Sequence, residues 1–227
     1  MGVIVERRAG ELSPGFVLAP ERYDPRRSLV AGPSRTLGEL VSVVTENVTH
    51  QSFAPEAPVL VLDTTHAFEG FVIARHAAAP ARELGSAKRR LLPGDVIVSR
   101  LRPYLRQIAY LDASLFALAP GGNEVVASTE FFVVRRRAAL DPAALIPYLL
   151  SEPVQAALAA GQEGGHHPRF SRGLLESLLI PDAALAAAPA WGARVREASG
   201  RVRASWAELR ALSAEAAATC VTAAKPR

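Results

Sequence analysis

From Thr36 onward, apolar residues come in short blocks separated by Pro, Gly and Asp. Thr36 with Glu39 three residues later has capping-box spacing ahead of Leu40, Val41 and Val44, and predicts a short helix. Val59-Leu60-Val61-Leu62 after Pro58 reads as a buried strand stopped by Asp63-Thr64-Thr65, with Phe71-Val72-Ile73 as a second strand close by. The alanine-rich residues 77–90 end in Lys88-Arg89-Arg90, and the turn Pro93-Gly94-Asp95 then leads into the strand Val96-Ile97-Val98-Ser99. Pro103 breaks that extension and Ile108 resumes it. A second turn, Pro120-Gly121-Gly122-Asn123, precedes one long strand over residues 124–135, rich in aromatic and β-branched positions. Asp141-Pro142 supplies an N-cap and first-turn proline for a helix through Leu145, Tyr148 and Leu149, followed by a second helix to Ala160. After the loop 161–169, Ser171 is placed to cap a helix carrying Leu174, Leu175 and Leu178.

The two ends differ from this body. Residues 1–35 hold Pro14, Pro20, Pro25 and Pro33 without sustained period, and predict an arm with one or two short strands, one of them at Val3. A Pro-Ala tract between Pro181 and Pro189 reads as a linker. Beyond it Trp191, Val195, Ala198, Val202, Ser205, Leu209, Leu212 and Ala216 alternate by four and three, the a/d seam of a coiled coil. One helix cannot hide such a seam by itself, so it folds onto its own body or pairs with another chain. Pairing is the expectation, through Trp191, Val195, Val202, Leu209 and Leu212. The expected fold class is α+β, a β-rich domain with short helices at 36–182, preceded by the 1–35 arm and followed by a linker and long helical spacer at 183–227.

Composition narrows the function. The chain has 227 residues, 49% hydrophobic and 21% charged, which fits a folded core with an appendage and not a disordered chain. Its apolar runs are too short for a membrane span, and the acidic and basic residues after Met1 interrupt any signal-peptide core, so the expected location is the cytoplasm. Cys220 is the single cysteine, which excludes an intrachain disulfide and a multi-thiolate zinc site. Net charge is +4, carried almost wholly by arginine because Lys88 and Lys225 are the only lysines. That balance fits either a GC-rich genome or a phosphate-binding surface.

Catalytic signatures are missing. Asp95 is not followed by the acidic residue and lysine of a metal-dependent nuclease, and there is no P-loop, methyl-donor glycine turn or nucleophile elbow. His166 and His167, adjacent in a loop, lack further ligands for a metal. No enzyme activity, cofactor or metal is expected.

Three stretches resemble the target-recognition domain of type I restriction-modification specificity subunits. They are Leu92-Pro93-Gly94-Asp95-Val96-Ile97-Val98-Ser99-Arg100-Leu101-Arg102-Pro103-Tyr104-Leu105-Arg106, then Val126-Ala127-Ser128-Thr129-Glu130-Phe131-Phe132-Val133-Val134-Arg135, then Gly164-Gly165-His166-His167-Pro168-Arg169-Phe170-Ser171 running on to Ile180-Pro181. Thr36-Leu37-Gly38-Glu39-Leu40 is similar to the family's opening helix. The resemblance implies a non-catalytic reader of double-stranded DNA that directs a DNA methyltransferase, and in some systems a translocase-nuclease, to its target in modification, restriction or phage defence. Intact subunits carry two such domains and two spacers; this chain has one of each, which implies a half-subunit that homodimerises through its tail. After Pro181 the chain departs from the family's proline-proline-leucine and Glu-Gln pattern, which puts the usual methyltransferase docking in question and leaves open a partner from a different defence or modification system.

The DNA-binding residues implied are Arg100, Arg102, Tyr104 and Arg106 around Pro103, His166, His167 and Arg169 on the Gly164-Gly165 loop, and Lys88, Arg89 and Arg90 for phosphates. Any of these arginines could instead face solvent or a buried carboxylate. On the first reading, Arg100→Ala or Arg169→Ala weakens DNA binding with little loss of thermal stability. Phe131, Phe132 and Phe170 are expected in the core. The competing function is a scaffold or interaction subunit of such a complex that does not read DNA.

Overall fold

A computed structural model describes residues 6, 8, 32–74, 77–117, 124–137 and 140–223. Apart from residues 6, 8 and 32–35, the expected arm lies outside the described residues, as does the turn at 120–123. The chain runs through β1 (Ser34–Thr36), α1 (Leu37–Leu40), β2 (Val41–Val44), β3 (Pro58–Leu62), β4 (Ala79–Pro80), β5 (Lys88–Arg90), β6 (Val96–Ser99) and β7 (Ile108–Tyr110). It continues through α2 (Ala113–Phe116), β8 (Glu124–Ser128), β9 (Phe131–Arg136), α3 (Leu145–Leu149), α4 (Glu152–Ala160), β10 (Gln162–Glu163), β11 (Arg169–Phe170), α5 (Arg172–Glu176), β12 (Leu179–Pro181) and α6 (Asp182–Ala223). The expected mixture of strands and short helices with a long C-terminal helix is what forms.

Two four-stranded sheets make the body. One is antiparallel, in the order β2-β9-β6-β7; the other, β4-β3-β8-β5, has its central β3–β8 pair parallel. The first sheet is buried on both faces. Val96, Val98, Ile108, Phe132 and Val134 pack with α1 and α3–α5, whereas Ile97, Ala109, Phe131 and Val133 pack with Leu60, Leu62, Val125 and Ala127 of the second sheet. This explains why β6 and β9 read as unbroken apolar runs: both side-chain directions of a period-two strand reach a core. Phe131, Phe132 and Phe170 are buried as expected.

Three local expectations change. The single strand foreseen at 124–135 is two strands in different sheets, because Thr129 and Glu130 turn the chain; Ser128 Oγ accepts the Glu130 N–H at 3.2 Å. The helix opened by Thr36, whose N–H meets the Glu39 carboxylate at 2.8 Å, stops at Leu40. Val41 and Val43 then join a strand, where β-branched side chains lose less freedom than in a helix. Phe71-Val72-Ile73 makes only one isolated bridge, Val72 to Ala67, although Val72 does share a core with Leu60.

The Pro-Ala tract is no linker. α6 begins at Asp182 and continues through Pro189, since alanine favours helix and Ala184, Leu185 and Ala188 pack on the body. Farther along, Gly192 brings the helix so near that an added Cβ would lie 3.2 Å from Asp141 Oδ2. Arg196 pairs with Asp141, Ser199 Oγ donates to Gly70 O at 3.4 Å, and Arg203 pairs with Asp112. From Ala204 to Cys220 every side chain is exposed. Among the described residues no single helix is long and apolar enough to cross a membrane.

Candidate nucleic-acid interface

Three chain segments meet at the end of the antiparallel sheet where β6 stops and β9 begins. The first is the β6–β7 loop, where Pro103 begins a short 3-10 turn of Pro103–Leu105. The second is the β10–β11 hairpin, turned at Gly164 with φ +91°. The third is the Thr129-Glu130 corner. Backbone bonds lock them together: Arg100 N–H donates to Glu130 O at 2.9 Å, Arg102 N–H to Pro168 O at 3.0 Å, and Phe170 N–H to Arg100 O at 3.2 Å.

Glu130 is the hub of this junction. Its carboxylate accepts from Arg169 Nε at 3.0 Å and Nη2 at 2.7 Å, and from Arg100 Nε at 3.1 Å. Those bonds, led by the one from Arg169, hold the Glu130 carboxyl below the ordinary carboxylate range although burial pushes it the other way. In turn, Glu130 holds the Arg169 guanidinium above its usual value. Arg169 also donates from Nη1 to His167 O at 3.0 Å, so its fork is fully engaged. Without it the half-buried Glu130 carboxylate keeps only Arg100, so Arg169→Ala is expected to cost stability as well, where sequence alone suggested little loss. Sequence reading missed Glu130; the available signal was that it is the sole acidic residue between Val126 and Arg135.

The remaining arginines separate by orientation. Arg102 reaches the front of the junction, its Nη2 3.2 Å from His167 Nδ1, and the His166 and His167 rings meet edge to face at 4.7 Å. Arg106 turns back into the body, donating to Leu150 O and pairing with Glu69 at 3.3 Å. Tyr104 projects into solvent, 63% exposed. Thus Arg100, Arg102, Arg106, His166, His167 and Arg169 come together, but Arg106 and Arg169 are occupied by protein partners and Arg100 is tied to Glu130 through Nε.

Lys88, Arg89 and Arg90 are not a fully solvated run. They form β5, paired with β8 of the other sheet, and are half-buried. Lys88 Nζ donates to Ser86 O at 3.0 Å, and Arg90 lies 4.9 Å from the Phe53 ring centre and 3.7 Å from Glu124. Arg89, opposite Ala127, points to the other face of the sheet from its neighbours. Its Nε and Nη1 are buried without a hydrogen-bond partner among the described residues, and burial lowers its pKa, with Arg100 and Arg172 adding repulsion. Arg135, in the Arg135-Arg136-Arg137 run, braces the core: it bonds both oxygens of Asp95, at 2.9 and 2.8 Å.

In the tail, Trp191 and Val195 line a groove of about 380 Å³ with Pro147 and Ala198. Val195 and Val202 are half-buried, whereas Leu209 is 58% and Leu212 54% exposed. Trp206, 38% exposed and off the heptad seam, adds to this bare face. Among the described residues no group of three His, Cys, Asp or Glu could hold a metal ion.

No protein-family model matches the chain, and no curated protein matches it. Solved structures do. A chain from a structure of complex assembly and conformational transition of the type I R-M system is 24% identical, with a TM-score of 0.58 over 81% of this chain and 45% of that one. The HsdS subunit from Thermoanaerobacter tengcongensis is 23% identical, with a TM-score of 0.55 over the same shares. This chain therefore spans under half the length of the solved chains it matches. Across 81% of its own length, it has the fold of a type I restriction-modification HsdS subunit.

Proposed function

We propose that this chain is a sequence-specific, non-catalytic DNA specificity subunit with one reading head, recruiting a DNA methyltransferase or a related restriction or phage-defence complex in the cytoplasm. The observation that carries this reading is the fold match, with 81% of this chain aligned to only 45% of each HsdS-type chain. Residues 36–182 form the reading domain and 183–227 the spacer. Two copies pair through Trp191, Val195, Val202, Leu209 and Leu212 and present two reading heads with two-fold symmetry.

At the reading head, Arg100, Arg102, Tyr104, His166 and His167 face the duplex, with Arg89, on the sheet face toward Arg100, nearest the phosphates; Lys88 and Arg90 lie on the opposite face, and Arg106 and Arg169 brace the loops. A bidentate arginine–guanine contact discriminates by about 1–3 kcal/mol, whereas phosphate contacts add affinity without sequence information. The test is selection of the purified protein against a randomised duplex library at moderate salt. An inverted repeat with fixed spacing is expected. Absence of enrichment over a charge-matched control protein refutes the reading.

A further inference from the structure

The β6–β7 loop carries two adjacent apolar side chains out of the protein. Tyr104 is 63% and Leu105 47% exposed, while Pro103 before them is buried. Arg102 at φ +48° and Arg106 at φ +51° bracket the turn, and they are the only non-glycine residues with positive φ among the described residues. A left-handed conformation costs a residue with a Cβ free energy, so two of them around one turn persist only where the surroundings impose them. The surroundings here do. Leu105 N–H donates to Arg102 O at 2.9 Å and Arg106 N–H to Pro103 O at 2.8 Å; Arg102 N–H is tied to Pro168, and the Arg106 side chain to Leu150 and Glu69. The tip is thus held in place before it meets a ligand, and its ordering entropy is already spent.

Charge selects the ligand. The two carboxylates that touch this loop's arginines, Glu69 and Glu130, are already paired with Arg106 and with Arg100 and Arg169. Arg102 meets only the imidazole of His167, and both terminal nitrogens of Arg100 make no hydrogen bond among the described residues. An apolar tip flanked by available guanidinium groups suits a polyanion with an apolar interior: stacked bases between phosphates. We infer that Tyr104 and Leu105 insert into a base step of the bound duplex and partly unstack it, with Arg100 and Arg102 on the flanking phosphates. This rests on the DNA-reading function proposed above.

The experiment uses the duplex enriched by the library selection, with 2-aminopurine placed at successive steps. Binding of the parent protein raises 2-aminopurine fluorescence at one step. Tyr104→Ala and Leu105→Ala abolish that rise and weaken binding roughly 10- to 100-fold, the range for loss of one stacked base. Tyr104→Phe keeps both, and all three variants melt like the parent because the side chains are exposed. If no duplex is enriched, the DNA-reading function falls and this inference with it. Tight binding by the parent with no fluorescence change at any step overturns insertion alone. So does Tyr104→Ala binding as tightly as the parent, the result expected if the tip seats on a partner protein instead.

Discussion

Arg135→Leu is expected to be among the most destabilising single substitutions in the body of this protein. Asp95 is only 2% exposed, in the Pro93-Gly94-Asp95 turn, and Arg135 closes a two-bond fork on it from β9 while donating to Arg90 O at 3.2 Å. Besides Arg135, the carboxylate accepts the Leu92 N–H at 2.8 Å. Leucine at 135 leaves that carboxylate buried with one donor and no countercharge, a loss of about 3–5 kcal/mol. For a chain of this length each kilocalorie moves Tm by about 2–4 °C, so a fall of roughly 6–20 °C is expected. Asp95→Asn removes the charge instead and keeps an acceptor for Leu92, so it costs less, about 1–3 kcal/mol. The combined Asp95→Asn/Arg135→Leu variant leaves no buried ion and melts above Arg135→Leu alone. Calorimetric melting of the three proteins checks this. If Arg135→Leu loses no more than the roughly 2–4 °C of a single kilocalorie, Asp95 is not held as a buried ion and the reasoning fails.

Glu130 has its folded pKa lowered by Arg169 and Arg100, so its contribution is present above the unfolded value of about 4.3 and is lost as pH falls through the folded value. The Tm of the parent should accordingly fall more steeply below about pH 4.3 than that of Glu130→Gln; parallel profiles refute this. Burial pushes the Tyr148 phenol up to about 12, and its O–H donates to Leu179 O at 2.8 Å. The fold therefore favours the protonated phenol: its contribution is complete below about pH 10 and lost as pH rises toward the folded value. Tyr148→Phe should remove a tyrosine that ionises late in an alkaline absorbance titration and cost about 0.5–1.5 kcal/mol at neutral pH. Pro189→Ala restores a helical N–H inside α6 and should raise stability by up to about 3 kcal/mol; an unchanged Tm would show that the helix is broken there in solution. Leu209→Glu with Leu212→Glu should convert paired copies to monomers by light scattering without lowering the monomer's Tm, since both side chains are more than half exposed.

Local chemistry was legible in the sequence wherever a signal and its consequence lie within a few residues. Glu39 caps Thr36, the Asp141 side chain accepts the Ala143 N–H at 3.0 Å, and Ser171 accepts the Leu174 N–H at 3.2 Å, all where the spacing placed them. The blocks at Val59, Val96 and Ile108 are strands, and the long C-terminal helix is present. The clustering of Arg100, Arg102 and the His166-His167 loop was also readable, through the resemblance of three separated stretches to one domain type.

Tertiary structure decided what depends on distant partners. Nothing local says that the chain changes sheets at Thr129, because β8 and β9 show the same apolar run and only their pairing, with β3 and β5 or with β2 and β6, distinguishes them. An isolated Glu130 looks like a surface carboxylate until residues 30 and 39 positions away close on it. Arg106 and Arg102 are alike as letters, yet one is drawn inward by Leu150 and the other left at the front. Pro189 marks a linker by its own propensity, but packing of Ala188 and Gly192 on the body outweighs one lost hydrogen bond and carries the helix through it. A residue's neighbours in sequence set its conformational preferences; its neighbours in space set whether its charge is free to meet a ligand.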